Sequence, residues 1–69
     1  MTIALLTAHF EDMVLYRIYS GSGNGMEMIE EGKIGDIYDS MVKGNTSYTL
    51  TTVEAWHVSA SGTLSIYIE

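Results

Sequence analysis

The carboxylates of this chain crowd into one stretch, GMEMIEEGKIGDIYDSM at residues 25–41, where Glu27, Glu30, Glu31, Asp36 and Asp39 share the segment with a single base, Lys33. Paired carboxylates perform acid–base chemistry when burial raises the pKa of one of them. Glu30-Glu31 and Asp36…Asp39 are pairs by spacing, but polar residues and glycines flank them, and solvated side chains are expected. A calcium loop needs alternating ligands in a D-x-D-x-D-G pattern, which the stretch lacks. His9 and His57 are the only histidines. A zinc site would need Glu54 or Asp12 to complete the ligand set, and no H-x-E, H-x-H or HExxH spacing is present. The sequence gives no reason to expect a metal or cofactor.

Nucleophilic chemistry fares no better. Serines 20, 22, 40, 47, 59, 61 and 65 fall in turns, in a loop or on exposed faces. None stands in a G-x-S-x-G elbow. GSGNG at 21–25 is rich enough in glycine to cradle a phosphate, yet Met26 stands where the last glycine of the dinucleotide pattern belongs, and no nucleotide-loop lysine follows. An acidic segment follows instead and would repel phosphate. The stretch is expected to be a flexible connection. With the requirements of an active site unmet, the chain is expected to be a binding protein rather than an enzyme.

The elements that must position these residues are mostly strands. Residues 2–10, TIALLTAHF, are apolar on both faces of an extended chain and are expected to form a covered strand. A tight turn at Glu11-Asp12 would join it in a hairpin to residues 13–20, with Val14, Tyr16 and Ile18 alternating against Met13, Leu15, Arg17 and Tyr19. The two histidines would then lie on neighbouring strands. Residues 26–31 favour a short strand over a kinked helical turn. Ile34, Ile37, Tyr38, Met41 and Val42 form a helical stripe over 34–43, ended by Gly44-Asn45. Asp39 and Lys43 stand at i and i+4, the favourable order for an ion pair on that helix. Residues 48–58 read as a long strand, SASG at 59–62 as a turn, and 63–69 as a strand with Leu64, Ile66 and Ile68 inward. The expected fold is α+β: an antiparallel sheet of four to five strands with one short helix, ββ(β)αββ, in two layers.

The chain has 69 residues, which fits a single domain over 1–69 with a small core. There is no cysteine, so neither disulfides nor thiolate zinc sites can staple it. Self-association is one remaining way to stabilise so small a fold. MTIALLTAHF has no positive n-region and no small-residue cleavage site, so no secretory signal is expected. No apolar run approaches the roughly 18 residues of a membrane span. A cytoplasmic location is expected, the host cytoplasm if the chain is phage-encoded.

Nine acids against three bases give a net charge of −6. Such a surface repels nucleic acid and anionic membranes and attracts basic proteins. The acids then have three possible uses: solubility, docking on a basic surface, or imitation of phosphates. Helical side chains three or four apart have Cβ atoms about 5–6 Å apart, on the scale of backbone charges that repeat every ~3.4 Å along a DNA strand. The aromatic residues Tyr16, Tyr19, Tyr48, Trp56 and Tyr67 are expected on strands, partly on an open sheet face, where Tyr and Trp serve as interface anchors or as ordinary cross-strand packing.

In size, acidity, lack of cysteine and α+β layout, the whole chain resembles the small inhibitors of phages and mobile elements, of which anti-CRISPR proteins and other DNA mimics are the best-known group. No sequence motif carries the resemblance. It implies an inhibitor that binds a basic, nucleic-acid-handling protein and blocks its nucleic-acid site. Glu27, Glu30, Glu31, Asp36 and Asp39 would supply the charge, and Tyr19 and Trp56 the anchors. The alternative is a structural or assembly module that self-associates, as a homodimer for example, through its sheet.

Overall fold

A computed structural model describes residues 1–21, 25–37 and 50–68. Their elements in chain order are α1 (Ile3–Thr7), β1 (Leu15–Ser20), β2 (Glu27–Lys33), a second helix α2 of which residues 34–37 are described, β3 (Ala55–Val58) and β4 (Leu64–Ile68). The strands form one sheet in the order β2-β1-β4-β3. The α+β class and the four strands follow the sequence expectation. Two details do not.

The first is the opening segment, which is helical rather than extended. Thr2 caps it, its hydroxyl accepting the Leu5 N–H at 3.2 Å. Ile3, Leu6 and Thr7 are buried, and Phe10 packs against the same core. Positions 3, 6, 7 and 10 make a helical stripe. The buried Thr7 hydroxyl donates to the Ile3 carbonyl at 2.9 Å, so its polarity is satisfied within the helix. Residues 11–14 do turn, with Val14 N–H donating to the Glu11 carbonyl, but the turn joins a helix to β1 rather than two strands.

The second is the pairing. β1–β2 and β3–β4 are antiparallel hairpins, but they meet through β1 and β4, which run parallel. The sheet is therefore mixed. Nor is 48–58 one long strand within its described part: Thr52 makes an isolated bridge to Thr2, and only Ala55–Val58 form β3.

One sheet face carries both helical segments. Tyr16, Ile18, Leu64, Ile66 and Ile68 point into a core completed by Ile3, Leu6, Ile34 and Ile37. The inward set expected for β4 is observed, and the β1 alternation turns Tyr16 and Ile18 inward. Ser65, expected on an exposed face, is buried instead, because the second face of β4 is covered by its neighbours. α2 starts where expected, its Ile34 and Gly35 N–H groups donating to the carbonyls of Val14 and Asp12 at 2.9 and 3.0 Å. Backbone carbonyls of the 11–14 turn thus satisfy donors that a side-chain cap would otherwise take. Tyr38, Met41, Val42 and the Asp39–Lys43 pair lie outside the described residues.

Two glycines shape the hairpin ends. Gly21 has φ +109°, and a Cβ there would stand 2.6 Å from the Gly25 carbonyl oxygen. The two ends of the 21–25 connection therefore approach more closely than a side chain allows. Gly62 has φ +88° and closes the β3–β4 hairpin. Its N–H donates to Ser59 O, and Ser59 N–H donates to Thr63 O, both at 2.9 Å. This is the three-residue loop with a left-handed last position.

Candidate functional site

The acids that the sequence groups together are carried mainly by a strand. Glu27, Glu30 and Glu31 lie on β2, an edge of the sheet, and Asp36 is exposed on the helical turn that follows. Asp39 lies outside the described residues. A strand rises about 3.3 Å per residue, so Glu27 and Glu31 are roughly 13 Å apart along the edge. The short strand expected at 26–31 is thus observed, running on to Lys33, and it gives these three glutamates strand rather than helical spacing.

The pleat and a bulge divide these acids between environments. The β1–β2 register shifts between Ile18 and Tyr19, where the partner residue passes from Glu30 to Met28 and leaves Ile29 unpaired. Ile29 packs against the core. Glu30 is half-buried on the helix side, and its Oε2 accepts the Tyr16 hydroxyl at 3.0 Å. The Tyr16 ring reaches it by lying across Gly32, its direct partner in the ladder. Burial first, then this hydrogen bond and the charges of Glu30 and Asp36, push the Tyr16 phenol well above the usual tyrosine range. Glu31 is on the other face, opposite Arg17, with Arg17 Nε 3.5 Å from its Oε2. Both side chains are more than half exposed, so the pair contributes roughly 0–1 kcal/mol. Its larger effect is to neutralise one acid locally. Glu27 and Asp36 remain as exposed charges.

The face opposite the helices carries a row of rings. Tyr19 of β1 stacks on Tyr67 of β4 with centroids 5.3 Å apart and planes 18° apart. Tyr67 stacks in turn on His57 of β3 at 5.7 Å and 17°. The sequence alone puts some of the strand aromatics on an open face, without saying which, and gives His57 no part in such a row. The signal is one direct cross-strand pair, Tyr19 opposite Tyr67, and one diagonal pair, His57 with Tyr67, both invisible until the β1–β4 and β3–β4 registers are known. His9 is exposed in the turn after α1, not on a strand, so the two histidines are not sheet neighbours. Among the described residues no three His, Cys, Asp or Glu side chains gather as a metal site would require.

Trp56 is not brought to the acids. It lies on β3, the opposite edge, three strand spacings or roughly 14 Å from β2. It shares the helix-side face and meets Phe10 edge-on at 6.0 Å. A hollow of about 310 Å³ at one end of β1–β2 is lined by Leu15, Tyr16, Arg17, Glu31, Gly32 and Thr63. Its charged groups, Arg17 and Glu31, already face each other. No described helix is long and apolar enough to cross a membrane. Comparison with family models, curated proteins and solved structures finds no match for this chain.

Proposed function

We propose that this chain is a small acidic binding protein that docks on a basic, nucleic-acid-handling protein and blocks its nucleic-acid site, in the manner of anti-CRISPR proteins and other DNA mimics. One observation carries the reading: charge is segregated across the sheet. Glu27, Glu30, Glu31 and Asp36 gather at the β2 edge, while no Asp, Glu, Lys or Arg occurs between Glu54 and Glu69, the stretch that contains β3 and β4. An acidic coat kept only for solubility would be interspersed over the surface. A one-sided acidic edge instead attracts a lysine- and arginine-lined groove and orients the approach. Glu27 and Asp36 are the principal attracting charges. Glu31 is partly spent on Arg17, and Glu30 on Tyr16. Tyr19, on the same half of the sheet as β2, supplies the neighbouring aromatic contact.

The test is capture of partners from a host lysate by the wild type and by a Glu27→Lys/Asp36→Lys variant, at low and high salt, followed by a gel shift with the captured protein. The reading requires a basic partner that the wild type holds at low salt, that the variant loses, and that releases its nucleic acid when the wild type is added. A partner held equally by both proteins at both salts would sink it.

A further inference from the structure

The two edges of this sheet are protected very differently. β2 is guarded by acids: two such edges brought together would set carboxylates against carboxylates. β3 has no guard. Its four residues, Ala55-Trp56-His57-Val58, are all exposed, with Trp56 and Val58 keeping 47% and 46% of their surface in water. The edge has no lysine, no proline and no charge along its length, the devices by which edge strands avoid pairing. We propose that β3 pairs edge to edge with β3 of a second copy, giving a twofold dimer with a continuous eight-stranded sheet.

Backbone direction makes the edge available. Hydrogen-bonded and non-bonded positions alternate along an antiparallel ladder. Ser59 N–H bonds Thr63 O at the hairpin, so the main-chain groups of His57 and Ala55 face β4. Those of Trp56 and Val58 face away from the sheet, where no described residue pairs with them.

The partner is a second copy because the edge complements itself. With the axis at His57, Trp56 lies opposite the partner's Val58 and exchanges both backbone hydrogen bonds with it. One large and one small side chain then meet on the helix-side face, twice. Glu54 falls outside the paired residues in this register. A one-position shift of the axis toward residue 56 would instead oppose two Trp56 rings and draw Glu54 into the ladder. Charge selects the same surface. A chain of net −6 repels its own copy everywhere except where it carries no acid, and the β3–β4 hairpin is that place. On the other face the row Tyr19, Tyr67, His57 would continue through the axis into the partner's own row, adding ring contacts. Two four-residue edges make a small interface, so the dimer is reversible rather than obligate.

The axis gives a charge test. His57→Lys and His57→Glu each place like charges directly opposite at the twofold, while the exposed position leaves the fold intact by circular dichroism. Sedimentation equilibrium from micromolar to millimolar protein should show the wild type dimerising, each variant monomeric alone, and their equimolar mixture dimeric again. A wild type that stays monomeric throughout, variants that dimerise as the wild type does, or a mixture that stays monomeric overturns the proposal. Amide exchange of the wild type reads the same edge without any substitution. Trp56 and Val58 N–H should slow as concentration rises, with β2 amides unchanged. Concentration-independent exchange at those two positions overturns it equally.

Discussion

Tyr16 is the residue through which pH should act on this fold. Its phenol is buried and donates to Glu30, so the protonated form is favoured in the folded state and its pKa lies above the unfolded value. A group whose folded pKa is raised contributes stability that is fully present below the unfolded pKa and is lost as pH rises beyond it. The loss should therefore begin above about pH 10. Tyr16→Phe keeps the ring over Gly32 and removes the hydroxyl. Denaturant unfolding should show it less stable at neutral pH by about 0.5–1.5 kcal/mol, the net worth of one hydrogen bond. The variant's alkaline decline should also be shallower, and an unchanged alkaline limb would locate the titration elsewhere. A second comparison at this scale uses the positive-φ glycines. Gly62→Ala meets open space, so it should cost only the left-handed strain of about 1–2 kcal/mol. Gly21→Ala adds a clash with the Gly25 carbonyl and should cost distinctly more. Equal losses in thermal melts would contradict the close approach of the two hairpin ends.

Among the elements, α2 and α1 differ in how openly their sequences declare them. Ile34 and Ile37 belong to a helical stripe that no strand pattern imitates, and both are buried in the core. Ile37→Ala should cost about 2–5 kcal/mol by removing buried carbon from that packing. A near-neutral denaturant midpoint would remove Ile37 from the core. α1 is five residues long, too short for its period to outweigh a second reading. Ile3, Leu6, Thr7 and Phe10 fit a helix, while Ile3, Leu5 and Ala4, Leu6, Ala8 fit the two faces of a buried strand. The cap at Thr2 decides between them, and its replacement by Ala should destabilise by about 0.5–2 kcal/mol. β4 and β1 were legible because apolar and polar residues alternate along them, although the second face of β4 is also covered, with Ser65 buried and Tyr67 half-buried. Their parallel pairing was not, because it joins residues 48 positions apart, Tyr19 to Tyr67 for example, through a register that no local pattern encodes. The acids of β2 were legible as a cluster but not as an edge, since which strand lies outermost depends on that same pairing. The ring row was hidden for the same reason.

On the scale of the whole molecule, salt should act in opposite directions on the two associations. Docking of a basic groove on the β2 edge is an attraction between unlike charges. Screening weakens it, chiefly by slowing association. Dimerisation through β3 brings together two bodies of net −6 at their uncharged edges. The contact itself is backbone hydrogen bonding and apolar burial, which salt leaves nearly untouched, while the long-range repulsion between the bodies is screened. The Debye length is about 30 Å at 0.01 M salt and about 8 Å at physiological strength. Repulsion between the two acidic far edges therefore reaches across the dimer only in dilute salt. The dimer dissociation constant should fall as salt rises and level off once the Debye length is shorter than the separation of the β2 edges. Glu27→Lys/Asp36→Lys changes two charges by two units each, taking the net charge from −6 to −2. That variant should dimerise at low salt about as well as the wild type does at high salt, while losing the basic partner. Sedimentation equilibrium across a salt series, run beside partner capture in the same buffers, measures both signs. If salt weakened the dimer too, its interface would contain the charges that the β3 edge lacks.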